Sequence, residues 1–73
     1  MKVSIISIGN EIMNGLTTDT NSSWISKAIS KYESSEVTSM VVARDQEDDI
    51  ISNLDYIIST HPDYIFITGG LGP

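Results

Sequence analysis

Hydrophobic positions along the chain fall into five blocks separated by polar segments. Val3, Ile5, Ile6 and Ile8 make a β-branched run closed by Gly9, too short for a helix and predicted as a buried strand. From Ile12 to Asp19 the chain turns polar around Asn14-Gly15, a pair that tolerates positive φ, and a loop is predicted there. Trp24, Ile25, Ala28, Ile29 and Tyr32 then recur at helical spacing behind Thr20 and Asn21, which stand where N-caps belong. A helix is predicted from about Asn21 to Tyr32, with Trp24 packing into the core from its apolar stripe.

Ser34-Ser35 breaks that pattern, and Val37 with Met40, Val41, Val42 and Ala43 predicts a second strand ending near Arg44. Asp45, Glu47, Asp48 and Asp49 follow, acidic residues placed where the positive end of a helix dipole favours them. Ile50, Ile51, Leu54, Ile57 and Ile58 mark one face of the second helix, and His61-Pro62 stops it, because the residue before a proline is pushed out of the α region. Tyr64 to Ile67 read as a third strand, and the chain finishes with Thr68-Gly69-Gly70-Leu71-Gly72-Pro73. Strands that are apolar throughout, alternating with helices, predict an α/β fold with a parallel sheet and right-handed crossovers. Two helices over three strands leave a sheet face thinly covered, so the chain is expected to be half of a larger domain or to be completed by a partner.

Composition narrows the function classes. Ten acidic residues against four basic ones give a formal net charge of -6 over 73 residues, and the scattered Lys2, Lys27, Lys31 and Arg44 form no stripe for a run of phosphates. Nucleic acid is therefore not an expected partner. The absence of cysteine removes disulfide scaffolds, Cys-ligated zinc and thiol chemistry, and it fits a reducing compartment, with the cytoplasm as the default. The first strand is far too short for a signal peptide or a membrane span, so no membrane role is expected.

In an open parallel sheet, ligands bind beyond the carboxyl ends of the strands, where the strand order reverses. Three segments reach that edge: Gly9-Asn10-Glu11, Arg44-Asp45 and the stretch from Thr68 to Gly72. The run Gly69-Gly70-Leu71-Gly72 lets backbone N–H groups approach a ligand closely and can form an anion nest, which makes phosphate its natural guest. It matches neither the phosphate loop ending in Gly-Lys-Ser/Thr nor the dinucleotide glycine pattern, and a plain turn is its alternative. Asp45 reads either as the N-cap of the second helix or as a carboxylate at the site edge, able to hold a divalent cation or a ligand hydroxyl. Glu11 and Asn10 are either solvated loop residues or site residues, and Asp19, Thr20 and Asn21 can simply cap the first helix. His61 sits at the opposite edge of the sheet and is expected at the surface.

Taken together, Gly9-Asn10-Glu11, Gly15, Asp19-Thr20-Asn21, Asp45 and Thr68-Gly69-Gly70-Leu71-Gly72-Pro73 resemble the molybdopterin-binding-like domain of the CinA type, from competence/damage-inducible proteins. The Gly-Gly-Leu-Gly-Pro form points to that branch, whereas the MoaB- and Mog-like molybdenum cofactor proteins carry Gly-Gly-Thr-Gly. The resemblance implies a three-layer α/β/α fold in which these strands lie in the order 2-1-3. It also implies metal-dependent hydrolysis of ADP-ribose to AMP and ribose 5-phosphate, with molybdopterin binding in molybdenum cofactor biosynthesis as the alternative and a non-catalytic binding module as a third reading. Carried over by position, Gly69, Gly70 and Gly72 with Thr68, Leu71, Gly9 and Asn10 would surround a phosphate. Glu11 and Asp45 would be the catalytic carboxylates, Asp45 would also bind the divalent metal ion, and Asp19 with Asn21 would shape the floor. A nucleotide or pterin is the implied small-molecule partner, and a homo-oligomer the implied assembly. Two departures stand out: the family pattern continues after Gly-Pro with Thr-x-Asp-Asp-x-Thr, where this chain stops, and the glycine usual between the first helix and second strand is replaced by Glu33 to Glu36.

Overall fold

The computed structural model describes residues 1–69. Along the chain run β1 (Lys2–Ile8), α1 (Asn10–Met13), α2 (Thr20–Ile29), β2 (Glu36–Ala43), α3 (Glu47–Ser59) and β3 (Tyr64–Gly69). The three strands form one sheet in the order β2-β1-β3, and both pairings are parallel. The α/β class, the parallel sheet and the 2-1-3 order therefore stand as expected. At its start β3 is clamped to β1 by two hydrogen bonds: the Asp63 N–H donates to the Lys2 carbonyl at 2.8 Å, and the Lys2 N–H donates to Asp63 Oδ2 at 2.6 Å.

From β1 the chain moves one way to β2 and then back across β1 to β3, so right-handed crossovers put α2 and α3 on opposite faces of the sheet. Side chains on β1 divide accordingly. Ile6 and Ile8 pack with Ala43 and Ile57, flanked by Val41, Ile50, Leu54 and Ile65, and this apolar layer is the core under α3. Ser7 points to the other face, where its hydroxyl meets Ser22 of α2.

Only the middle strand is buried on both faces, with Val3 to Ile8 all buried. β2 and β3, although apolar in sequence, run largely between exposed and half-buried positions, with Ala43 buried at the end of β2. The cause is coverage: α2 has ten residues, about 15 Å of helix, and it overlies only part of its face.

Three local expectations are corrected. The polar segment after Gly9 opens with one helical turn, α1, closed by the Met13 N–H to the Gly9 carbonyl and the Asn14 N–H to the Asn10 carbonyl; four residues are too few to leave a periodic pattern. α2 ends at Ile29 rather than Tyr32, because the chain tightens there into bonds from Lys31 N–H to Ala28 and from Tyr32 N–H to Ile29. Trp24 lies off the buried stripe of α2 and is 71% exposed, leaving Ile25, Ala28 and Ile29 to face the sheet, each half-buried.

Ser4 is fully buried in β1, and its hydroxyl has no hydrogen-bond partner among the described residues. An unpaired buried hydroxyl opposes folding by about 1–3 kcal/mol. Ser4→Ala is therefore expected to raise the thermal midpoint by several degrees, on the scale of about 4–8 °C per kcal/mol for a domain this small. A lower midpoint in calorimetry would show that the hydroxyl is bonded after all.

Candidate functional site

The carboxyl ends of the three strands are tied together by short bonds. Gly9, just past β1, donates its N–H to the carbonyl of Ala43, the last residue of β2, at 3.0 Å. One residue on, Asn10 Oδ1 accepts the Asp45 N–H at 3.1 Å, so the segments after β1 and β2 meet as the parallel topology requires. Glu11 is exposed on the first turn of α1, and its carboxylate folds back over Gly9, where an added Cβ would stand 2.9 Å from Oε1. Asp45 is exposed beside Asn10.

Asp45 does not cap α3. The N-cap is Gln46, with no side-chain bond to the helix, and Asp49 reaches back instead so that its Oδ2 accepts the Arg44 N–H at 2.7 Å. This fixes the chain leaving β2 from the helix side and leaves the Asp45 carboxylate at the edge.

The third strand joins through a cluster of hydroxyls. Asp19 caps α2, its Oδ1 accepting the Ser22 N–H at 3.1 Å, as one of the sequence readings holds. Its Oδ2 accepts the Ser7 hydroxyl at 2.7 Å. The same Ser7 oxygen lies 2.6 Å from Ser22 Oγ and 3.1 Å from Thr68 Oγ1, so β1, α2 and β3 share one polar joint. Burial pushes the Asp19 carboxyl up, but the hydrogen bonds from the Ser7 and Ser22 side chains and the Ser22 N–H together outweigh it and hold the group below the usual aspartate range. Asn21 is exposed on the first turn of α2, and the joint is built without it.

Gly69 ends β3 with φ +87°, and a Cβ there would lie 2.1 Å from the Ile8 carbonyl oxygen. Its place against β1 is open only to glycine. Gly70, Leu71 and Gly72 lie outside the described residues.

The sequence reading passed over Ser7 and Ser22, both buried. A signal was present for one of them: a serine within an apolar strand, two residues before the glycine that ends it, needs a polar partner. For metal, the fit is incomplete among the described residues, where no three of His, Asp or Glu come together as ligands. Glu11 and Asp45 are exposed carboxylates at this edge. Among the described residues no helix is long and apolar enough to cross a membrane.

Known proteins are similar to this chain in sequence and fold. The chain is 38% identical over its whole length to a CinA-like protein of Fusobacterium nucleatum, of which it spans 18%. It is 41% identical over 69 residues to a protein of Sulfurisphaera tokodaii, of which it spans 26%. In three dimensions all of the chain matches 43% of a solved chain, the protein CinA with unknown function from Thermoplasma acidophilum, with a TM-score of 0.87 and 32% identity. The family described as a probable molybdopterin binding domain matches residues 4–73, and the chain belongs to that family, where it is similar to the CinA-like proteins.

Proposed function

We propose that this chain is the N-terminal half of a nucleotide-handling domain that, in the whole protein, hydrolyses ADP-ribose to AMP and ribose 5-phosphate with a divalent cation. The observation that supports it is the meeting of three strand ends at one edge. Gly9 is bonded to Ala43, Asn10 to Asp45 and Ser7 to Thr68, with Gly69 opening the glycine segment. Such an edge is where phosphate-bearing ligands settle in parallel sheets, and two exposed carboxylates there, Glu11 and Asp45, suit attack by water on a pyrophosphate more than storage of an anion. In that reaction a water oxygen bonds to one phosphorus, the bridging P–O bond breaks, and the bridging oxygen leaves on the other phosphate.

Asp45→Asn and Glu11→Gln in the whole protein are each expected to lower ADP-ribose turnover at least about tenfold, the scale of a lost acid–base or charge-stabilising group. Their unfolding midpoints should not change, because both side chains are exposed. Release of AMP, followed by chromatography with magnesium, manganese or nickel and again with excess chelator, reads this directly. No turnover with any of these ions sinks the hydrolase reading, and adenylyl transfer from ATP to a bound pterin would replace it with the molybdenum-cofactor one.

A further inference from the structure

Trp24 is the only tryptophan of the chain, and the fold holds its side chain out of the core, 71% exposed. It forms a wall of a shallow cavity of about 310 Å³ that Thr18, Asp19, Thr20, Ser23 and Lys27 complete. An indole ringed by three hydroxyls and an ammonium group is a poor surface for an apolar protein partner, which would have to desolvate all four. It is a good one for a flat heterocycle, whose face stacks on the indole while its ring nitrogens or carbonyls take hydrogen bonds from Lys27, Thr20 and Ser23.

The cavity adjoins the site already described. Asp19 lines it, and the Asp19 carboxylate is turned inward, its two oxygens accepting from the Ser7 hydroxyl and the Ser22 N–H. Through Ser7 the wall is joined to Thr68, the residue before Gly69. The volume lies at the small end of ligand sites, which run about 300–1,000 Å³. It is large enough for one fused ring system.

We propose that Trp24 and Lys27 form the ring-binding subsite of this domain, taking the fused bicyclic heterocycle, purine or pterin, of the ligand whose phosphate lies at the Gly69 edge. This rests on the proposed function for the direction of the phosphate and goes beyond it in assigning the ring. The test is calorimetric titration of the whole protein with AMP and, separately, with neopterin, for wild type, Trp24→Ala, Trp24→Phe and Lys27→Met. Trp24→Ala is expected to weaken binding roughly 5- to 150-fold, the range of a lost base–aromatic stack. Trp24→Phe should retain most of the affinity, and the unfolding midpoint of each variant should match wild type, since neither side chain is buried. Whichever probe shows this pattern identifies the ring as purine or pterin. Binding of both probes unaffected by Trp24→Ala overturns the subsite, as does the absence of binding by wild type. Turnover of ADP-ribose is measured alongside. Turnover with an unchanged KM in Trp24→Ala leaves the hydrolase reading standing without this subsite, whereas Trp24-dependent binding without turnover does the reverse.

Discussion

Gly69→Ala is expected to cost on the order of 4 kcal/mol, a large part of the roughly 4–11 kcal/mol that a 73-residue chain can hold. Two terms add. A side chain at φ +87° brings the left-handed strain of about 1–2 kcal/mol, and a methyl 2.1 Å from the Ile8 carbonyl oxygen forces β3 away from β1 at the Ile8–Gly69 pair. Displacing packed structure adds roughly 1–3 kcal/mol more. Gly15 separates the two terms, because it also has positive φ, +78°, but nothing stands within 4 Å of its Cβ position. Gly15→Ala should show the strain alone, and Gly15→Asn should remove most of it, since asparagine tolerates that region. Gly69→Asn should be no better than Gly69→Ala, because the clash is with the Cβ itself. Urea unfolding of the four variants in the whole protein measures the ordering. Equal losses for Gly15→Ala and Gly69→Ala would mean that the close approach to Ile8 carries no energy.

The same two glycines mark how far the sequence alone reaches. Long-range order was legible because it rests on pattern: β-branched runs of strand length, a helix face at Ile50, Leu54 and Ile57, and the stop at His61-Pro62 give a parallel sheet whichever details vary. The 2-1-3 order entered through the family resemblance, and the structure bears it out. What pattern could not supply was local geometry. Helical spacing placed Trp24 and Tyr32 on an apolar stripe, but a ten-residue helix offers the sheet only the width that Ile25, Ala28 and Ile29 fill, and the larger rings stay outside. Asp45 looked like a cap because aspartate at a helix start usually is one; the cap moved to Gln46 once Asp49 took the Arg44 N–H. For the candidate site, Gly9, Asn10, Glu11, Asp45, Thr68 and Gly69 were found from their position at strand ends, and the structure brings them to one edge. The joint that binds this edge to α2 depends on where the Ser7 and Ser22 hydroxyls point, and no periodicity encodes that.

Ser7→Ala is expected to destabilise by on the order of 3 kcal/mol, the opposite sign to Ser4→Ala three residues earlier in the same strand. Both serines are fully buried, so the difference lies wholly in partners. An ionised carboxylate only accepts, so the Ser7 proton goes to Asp19 Oδ2 and the Ser7 oxygen accepts from the Thr68 hydroxyl, with Ser22 Oγ beside it at 2.6 Å. Ser7 is thus donor and acceptor at once. Its removal takes one donor from Asp19 and the acceptor from Thr68, and strips the buried Ser22 hydroxyl of its polar neighbour, at about 1–3 kcal/mol for each buried group left unpaired. The loss must depend on pH. Asp19 is held below the usual aspartate range in the folded chain, so its contribution is present above the unfolded value, near 3.9, and disappears as the pH falls through the folded one. The gap between wild type and Ser7→Ala should therefore be widest near pH 6 and narrow progressively as the pH falls from about 4, where the unfolded chain takes up the proton, toward the lower folded value. Denaturant midpoints for the two serine variants at pH 6 and pH 3 decide it. A Ser7→Ala penalty that stays constant with pH would detach the hydroxyl joint from the Asp19 charge, and a Ser7→Ala midpoint as high as wild type would remove the joint as a link between β1, α2 and β3.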